Sequence, residues 1–188
     1  MRTGMSDLVQ TVRELSNAGT NEMTVGTTVY WSDDHIQTAL DNNRKDFQFM
    51  PTEVYPEQAV GSVVYKEFHT EPYIEAGTNF YLQYAGGTVV GTALYSVDYT
   101  RGVITFTNDT AGTAFYVTGR TYDVYSAAAD IWDRKAANVA NQVDWSSDNH
   151  SIKNSQVFQF YQKQASDMRS MGKQNTVSIY RGDMSGIY

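Results

Sequence analysis

Residues 102–141 read GVITFTNDTAGTAFYVTGRTYDVYSAAADIWDRKAANVAN, and they change from one pattern to another without a linker. The first part places β-branched and aromatic runs on either side of turn residues, which is typical of a β-hairpin. From residue 121 onward, alanines and larger apolar residues recur at helical spacing. A hairpin that runs directly into an alanine-rich helix indicates that the hairpin ends an insertion and that the helix belongs to a compact helical body.

The helix after this hairpin, the third of the chain, has a wide apolar face made largely of small side chains. Thr121 or Asp123 is its expected N-cap, and Lys135 falls on its polar remainder. Small residues let two helices approach closely, either within the chain or between neighbouring copies. The residues that we expect in the helix core or in subunit packing are Ala128, Ala129, Trp132, Ala136, Phe160 and Tyr161.

Upstream of this stretch, short runs rich in β-branched and aromatic residues alternate with turn residues. Pro51 and Pro56 exclude a helix there. The pattern predicts at least four antiparallel strands that form a small sheet or sandwich between helices two and three. The runs are SVVYKEF (62–68), NFYLQYA (79–85), LYSVDY (94–99), GVITF (102–106) and TAFYVTG (113–119).

Three more helices are predicted from apolar residues at helical spacing. The first begins at Ser6 and ends near Asn17, the second is capped by Ser32, and the fourth covers residues 152–171 with Gly172 as its C-cap. Polar links are predicted at residues 20–29 and 144–151. The apolar stripe of the fourth helix contains Val157, Phe160, Tyr161, Ala165 and Met168.

The other face of the fourth helix is rich in glutamine and carries little charge. That face is either plain solvated surface or a surface that hydrogen-bonds a neighbour. The last residues, KQNTVSIYRGDMSGIY, lack a regular period but are too apolar for a solubilising tail. They form either an extended arm that docks on a partner or a tail that packs on its own body.

The predicted fold class is therefore α+β. A small α-helical bundle of about four helices carries an inserted antiparallel β-rich module between helices two and three, and ends in an extended C-terminal arm. The helical body comprises residues 1–46 and 120–172, the β-module residues 47–119, and the arm residues 173–188.

Composition excludes several classes of function. The chain has 188 residues, no cysteine and a net charge of −7. Thiolate metal sites and disulfides are thereby excluded, and the acidic balance argues against capture of a phosphate backbone. No signal peptide and no membrane-spanning run are recognisable. These features fit a protein made in a reducing cytosol.

Catalytic chemistry is not indicated by the sequence. The histidines His35, His69 and His150 stand apart, without the spacing of a metal site. Two carboxylates, such as Glu67 and Glu71, would suit acid–base work only in a cleft, and no pattern predicts one. No nucleophile elbow, phosphate loop or dinucleotide fingerprint occurs. We expect no enzyme activity, no catalytic or metal-binding residue and no cofactor.

Three segments carry a resemblance to a known family. They are WSDDHIQTALD (31–41), YDVYSAAADIW (122–132) and DWSSD (144–148) with the helix that follows to residue 171. In order and texture this half of the chain resembles the head–tail connector proteins of tailed bacteriophages, also called adaptor or head-completion proteins. Simpler members are nearly all helical, so the β-module is a departure, although some longer members look similar, with a hairpin like GVITFT.

The resemblance implies a structural virion protein that is made in the host cytoplasm and resides at the capsid–tail junction. It implies a homo-oligomeric ring, typically of twelve copies, under the portal protein. Such a ring extends the DNA channel without sequence-specific binding and offers a docking surface for tail or stopper proteins. The arm residues expected to hold the portal are Val177, Ile179, Tyr180, Arg181, Met184, Ile187 and Tyr188.

Other functions remain open at this point. The chain is alternatively another neck, tail-completion or decoration protein of the virion. A second alternative is a carbohydrate- or ligand-binding module that uses the tyrosines of the β-module. A third is a hydrolase that draws on its carboxylates. The tyrosines available for a binding groove are Tyr73, Tyr81, Tyr84 and Tyr95.

Overall fold

Four α-helices and two main antiparallel sheets make up the part of the chain that the computed structural model describes, which is an α+β fold. The described residues are 1–20, 22–25, 28–59, 61–140, 142, 144–147 and 150–172. The helices are α1 (Ser6–Ser16), α2 (Asp33–Asn42), α3 (Val124–Ala140) and α4 (Asn154–Gly172). The strands are β1 (Met23–Val25), β2 (Thr28–Tyr30), β3 (Arg44–Pro51), β4 (Glu53–Ala59), β5 (Ser62–His69), β6 (Tyr81–Tyr84), β7 (Tyr95–Asp98), β8 (Val103–Phe106), β9 (Phe115–Tyr122), β10 (Trp145–Ser147) and β11 (His150–Ile152).

The helix ends follow the capping chemistry expected from the sequence. α1 ends where Asn17 adopts the left-handed conformation with φ 47°, which asparagine tolerates better than most residues. Ser32 caps α2, because its Oγ accepts the backbone N–H of His35 at 3.4 Å. Of the two candidates for α3, Asp123 is the N-cap, and its Oδ1 accepts the N–H of Ser126 at 2.9 Å. The predicted end of α1 and the predicted starts of α2 and α3 are confirmed. α4 begins at Asn154 and not at Ile152, because Ile152 pairs with Trp145 in the hairpin β10–β11.

The strands between α2 and α3 form two sheets, which confirms that β-structure separates these helices. One sheet has the order β4–β5–β8–β7 and the other the order β3–β9–β6, with all neighbours antiparallel. The segments predicted as polar links instead contain two hairpins, β1–β2 and β10–β11. Each of their strands has three residues, too few for an alternating pattern to be recognised in the sequence.

Strands β3 and β4 were not predicted, because two prolines interrupt the stretch that contains them. Pro51 is the last residue of β3, and Pro56 lies in β4 at a register shift between Tyr55 and Glu57. β4 is an edge strand, where the missing N–H of proline is tolerated. The strands between α2 and α3 therefore extend from residue 44 to residue 122, beyond the predicted limits of 47 and 119.

The buried apolar residues form two main clusters, one among the helices and one between the two sheets. Tyr122, at the end of β9, belongs to the first cluster, whereas Phe115 and Val117 of the same strand belong to the second. The helical cluster contains Met5, Leu8, Val9, Val12, Ala18, Trp31, Ile36, Ala39, Leu40, Tyr122, Val124, Ala127, Ala128 and Ile131. The sheet cluster contains Phe68, Ile74, Phe80, Leu82, Val90, Ile104, Phe106, Phe115 and Val117.

The chain passes between the helices and the sheets at one place. Asn43 alone connects α2 to β3, and Asp123 alone connects β9 to α3. β3 and β9 pair from Arg44 and Tyr122 onward, and the N–H of Asp123 donates to the carbonyl oxygen of Asn43 at 3.0 Å. Residues 102–141 need no linker because β9 continues directly into α3. β9 also pairs with β3, the strand by which the chain leaves α2.

Candidate interaction surface

A buried carboxylate, that of Glu75, lies where the helices meet the sheets. Glu75 is 2% exposed and accepts a hydrogen bond from the hydroxyl of Tyr122 at 2.7 Å. The guanidinium groups of Arg2 and Arg120 lie 3.4 and 3.5 Å from its two oxygens. Burial and the Glu75 carboxylate raise the pKa of Tyr122, which keeps its hydroxyl protonated. Arg2 also donates to both oxygens of Asp41 in α2, at 2.9 and 2.7 Å.

Helix α4 is the least buried of the four described helices. Ala165 is the one side chain of α4 that is buried, and it packs against Ala129 and Trp132 of α3. Tyr161 and Met168 are partly buried beside it. The alanines of α3 therefore serve close packing of helices within the chain. The expected packing residues of α3 are all buried: Ala128, Ala129, Trp132 and Ala136.

A second stripe of α4 stays accessible to solvent. It runs through positions 157, 160, 164, 167 and 171, whose alternating steps of three and four residues keep them on one side of the helix. Val157, Phe160 and Met171 are 38%, 52% and 58% exposed. Phe160, which the sequence predicts in the helix core or in subunit packing, lies at the surface of this chain. We call Val157, Phe160, Gln164, Asp167 and Met171 the outer stripe.

The ring of Phe160 contacts two other aromatic rings. Its centroid lies 6.2 Å from the centroid of Trp132 in an edge-to-face arrangement, and 5.9 Å from that of Tyr161. Trp132 is itself fixed, since its indole N–H donates to the carbonyl oxygen of Leu15 at 3.2 Å. A rigid aromatic side chain at the surface loses little conformational entropy on binding, and such residues dominate the energetics of protein interfaces.

The exposed charges that form no ion pair differ between α1 and α4. In the described part of the chain, the exposed Asp7 and Glu14 of α1 form no ion pair. Beside and within α4, the exposed charges of described residues that form no ion pair are two lysines and two aspartates, Lys153, Lys163, Asp144 and Asp167, so they cancel. The acidic excess of α1 therefore has no counterpart on α4.

Lys135 was predicted on the polar face of helix three, and the structure corrects this. The side chain is buried, and its Nζ donates to the carbonyl oxygen of Asn17 at 2.8 Å and to the carboxylate of Glu22 at 2.8 and 2.9 Å. Nζ also lies 4.9 Å from the centroid of the Trp132 ring. A lysine can be buried when its stem packs on apolar surface and its ammonium group is fully partnered.

Two of the histidines weighed for chemistry lie in local pairs. His69 Nε2 lies 2.6 Å from the Glu67 carboxylate, while His35 Nδ1 lies 3.2 Å from Ser32 Oγ. Glu75 is taken up by the arginines at the junction. Within the described ranges, no group of three or more His, Cys, Asp or Glu side chains is placed to hold a metal ion.

A cavity of about 410 Å³ opens between the end of α4 and the sheets. The hydroxyls of Tyr73 and Tyr125 at its wall are 3.5 Å apart, and their hydrogen bond together with burial raises the pKa of Tyr73 to about 12. Gly172, the last described residue of α4, lines the same cavity.

The predicted arm follows Gly172 directly in the sequence. Its candidate residues lie outside the described part of the chain: Val177, Ile179, Tyr180, Arg181, Met184, Ile187 and Tyr188.

Comparison with protein-family models found no match to this chain, and comparison with curated protein sequences found none either. Among the described helices, none is long and apolar enough to cross a membrane.

Proposed function

We propose that this chain is a structural adaptor of a tailed-bacteriophage virion. It forms a ring beneath the portal protein, extends the DNA channel and provides the docking surface for tail or stopper proteins. The outer stripe of α4 is the observation that carries the proposal, because a rigid exposed Phe160 with two further apolar side chains suits a protein partner. The resemblance of the helical segments to connector proteins supplies the class of partner.

The outer stripe and the exposed side of α1 are two different surfaces of the helical body. α1 exposes Asp7 and Glu14, so two copies placed with α1 against α1 would repel each other. A contact between two different faces of the same chain generates a ring when the rotation closes. We propose that α4 of one copy packs on the α1 side of the next. The usual copy number of twelve follows from the resemblance alone.

The three parts predicted from the sequence take separate roles in this proposal. The helical body (1–46 and 120–172) forms the ring, and the β-module (47–119) is an insertion between helices two and three that extends from it. The arm (173–188) binds the portal protein. The position of Gly172 at the cavity between α4 and the sheets supports this division, since α4 ends beside the β-module.

The net charge of −7 supports a channel through which DNA slides without sequence-specific binding. Like charges repel, so an acidic ring holds the phosphate backbone away from its wall. The same charge disfavours any role that depends on capture of nucleic acid.

Electron microscopy of the full chain, alone and mixed with the portal protein of the same genome, tests the proposal. We expect closed rings, or an additional layer beneath the portal. Phe160→Asp should abolish both, because it places a charge in the apolar contact, while its melting temperature should stay close to that of the wild type. Gln159→Asp introduces the same charge at an exposed position off the outer stripe and should assemble normally.

Either of two results would overturn this function: unchanged assembly of Phe160→Asp, or a wild-type chain that ignores the portal. Binding to a tail protein without binding to the portal would favour another neck, tail-completion or decoration role. Removal of residues 174–188 separates the arm from the ring contact. The shortened chain should keep its circular dichroism spectrum and lose portal binding, and retained binding would contradict the role of the arm.

A further inference from the structure

The outer face of the sheet β3–β9–β6 carries an exposed aromatic pair. The rings of Phe49 and Tyr116 are stacked, with centroids 4.1 Å apart and planes within 5° of parallel. Phe49 is 43% exposed. The sheet cluster lies on the opposite face of β9, to which Phe115 and Val117 belong. The stacked pair is therefore outside both cores of the molecule, and packing does not explain it.

The backbone at Phe49 is strained. Its φ is 50°, a left-handed conformation that a bulky residue rarely adopts. It lies at the register shift of β3 between Phe47 and Met50, where the Phe49 N–H donates to Thr118 Oγ1 at 3.1 Å. A bulge of this kind re-aims a side chain, and strained residues of this kind cluster at functional sites. The bulge turns the Phe49 ring onto Tyr116 and toward solvent.

A polar trough lies next to this pair and shares Thr118 with it. The trough has a volume of about 230 Å³ and crosses the sheet, with residues 118–120 of β9 between its two walls. One wall comes from β3 and contributes Asp46 and Gln48. The other wall is the start of β6 and the residues before it. It contributes Asn79 and Tyr81.

Several polar groups of the trough are free to bind a ligand. Among the described residues, the carboxamides of Gln48 and Asn79 and the hydroxyl of Tyr81 have no hydrogen-bond partner. A carboxamide presents both donors and an acceptor, and a hydroxyl presents one of each. Arg120 and Asp46 at one end lie 3.8 Å apart, so the charges there are largely balanced. The trough thus offers mixed, mostly neutral hydrogen bonding.

We propose that this trough and the Phe49 ring form a binding site for a neutral saccharide. A sugar ring has an apolar C–H face that packs on an aromatic ring and hydroxyls that both donate and accept. Gln48, Asn79 and Tyr81 meet the hydroxyls, and the open face of Phe49 meets the adjacent sugar. The volume is below the roughly 300–1,000 Å³ of sites for drug-sized ligands, which suits one sugar ring of a longer chain.

Other ligand classes fit the site less well. An anionic ligand would find Arg120 already beside Asp46 and Glu75. Nucleic acid is disfavoured by the net charge of −7. A protein interface would need a larger apolar patch than one exposed ring beside a polar trough. The saccharide site is separate from the ring contact, since no residue of the outer stripe takes part in it.

Saturation-transfer NMR on the full chain tests the site with maltotetraose, cellotetraose and chitotetraose as probes. We expect transfer to at least one of these saccharides. The signal should fall at least several-fold in Phe49→Ala and in Asn79→Ala. Tyr55→Ala is the matched control, because Tyr55 is another exposed aromatic of the sheets that packs on a neighbouring ring, that of His69, and it should bind normally.

Phe49→Gly distinguishes a binding role from a structural one. Glycine adopts φ 50° without strain, so this variant should retain or raise its melting temperature while it loses saccharide binding. Three results would overturn the proposal. They are absence of transfer to all three saccharides, transfer unchanged in Phe49→Ala, and a change in sedimentation of Phe49→Ala without saccharide, which would assign the ring to a contact between copies.

Discussion

The sheet core and the helical core are held together by different kinds of contact. Between the sheets, Phe68, Phe106 and Phe115 contact one another, with centroid distances of 5.4, 5.1 and 4.5 Å. Among the helices, packing depends on alanines and aliphatic residues, and ties such as that between Arg2 and Glu75 cross from one element to another. One core therefore depends on ring volume, and the other on small side chains and partnered charges.

Phe115→Ala should give the largest loss of stability. Truncation of a buried phenylalanine costs about 3–5 kcal/mol. Because β9 continues into α3 through one residue, we expect the sheets and the helices to unfold in a single transition at a lower temperature. Thermal unfolding followed by far-UV and near-UV circular dichroism checks this. Val89→Ala, at an exposed position, should change little. A helical signal that keeps its wild-type midpoint would show that the two cores unfold separately.

Glu75→Leu should destabilise less, by about 1.5–3 kcal/mol, the usual value of hydrogen bonds to a charged group. The substitution leaves Arg2, Arg120 and the Tyr122 hydroxyl without their shared acceptor. Glu75→Gln keeps a hydrogen-bond acceptor for Tyr122 and should lose less. Urea denaturation measures the unfolding free energy of both variants, provided that its slope against urea concentration stays that of the wild type. A Glu75→Leu variant as stable as the wild type would mean that apolar packing replaces the ion pairs without loss, as it does in some proteins.

The smallest effect concerns pH. The pKa of Tyr73 is raised from 10.0 to about 12 in the folded chain, so the folded state favours the neutral hydroxyl. This contribution to stability is complete below pH 10 and is lost as the pH rises from 10 to about 12. Tyr73→Phe should reduce the decline of the unfolding free energy across that range. Tyr84→Phe, at an exposed position, should decline as the wild type does, and an equal decline in both variants would contradict the assignment.

Much of the fold was predictable because its signals are local. The third and fourth helices show sustained apolar periodicity, and Asn17, Ser32 and Asp123 mark helix ends by their own side-chain chemistry. The later strands of the sheets were also predictable from local signals, because their β-branched and aromatic runs lie between turn residues. β3 and β4 escaped prediction because tolerance of proline depends on a strand lying at an edge, and neighbours in a sheet are set by distant residues.

The surfaces were less predictable than the elements. The sequence predicts one apolar stripe of five residues on helix four, and the structure divides that stripe. Tyr161, Ala165 and Met168 face the small cluster on α3, whereas Val157 and Phe160 remain exposed. A helical pattern shows how wide an apolar face is, but the width covered depends on where α3 lies.

By itself, the sequence determined the helix ends at Asn17, Ser32 and Asp123, the strands between residues 62 and 119 and the change from hairpin to helix, since each depends on dihedral preferences and on periodicity within a few residues. Only the tertiary structure decided that Glu75 and Lys135 are buried. A charged side chain tolerates burial where hydrogen-bonding partners surround it, and those partners often come from distant parts of the sequence. The Tyr122 hydroxyl that donates to Glu75 is 47 positions away in the sequence. Tertiary structure likewise decided that Phe49 is strained and exposed beside a polar trough, because the register of β3 against β9 sets that conformation.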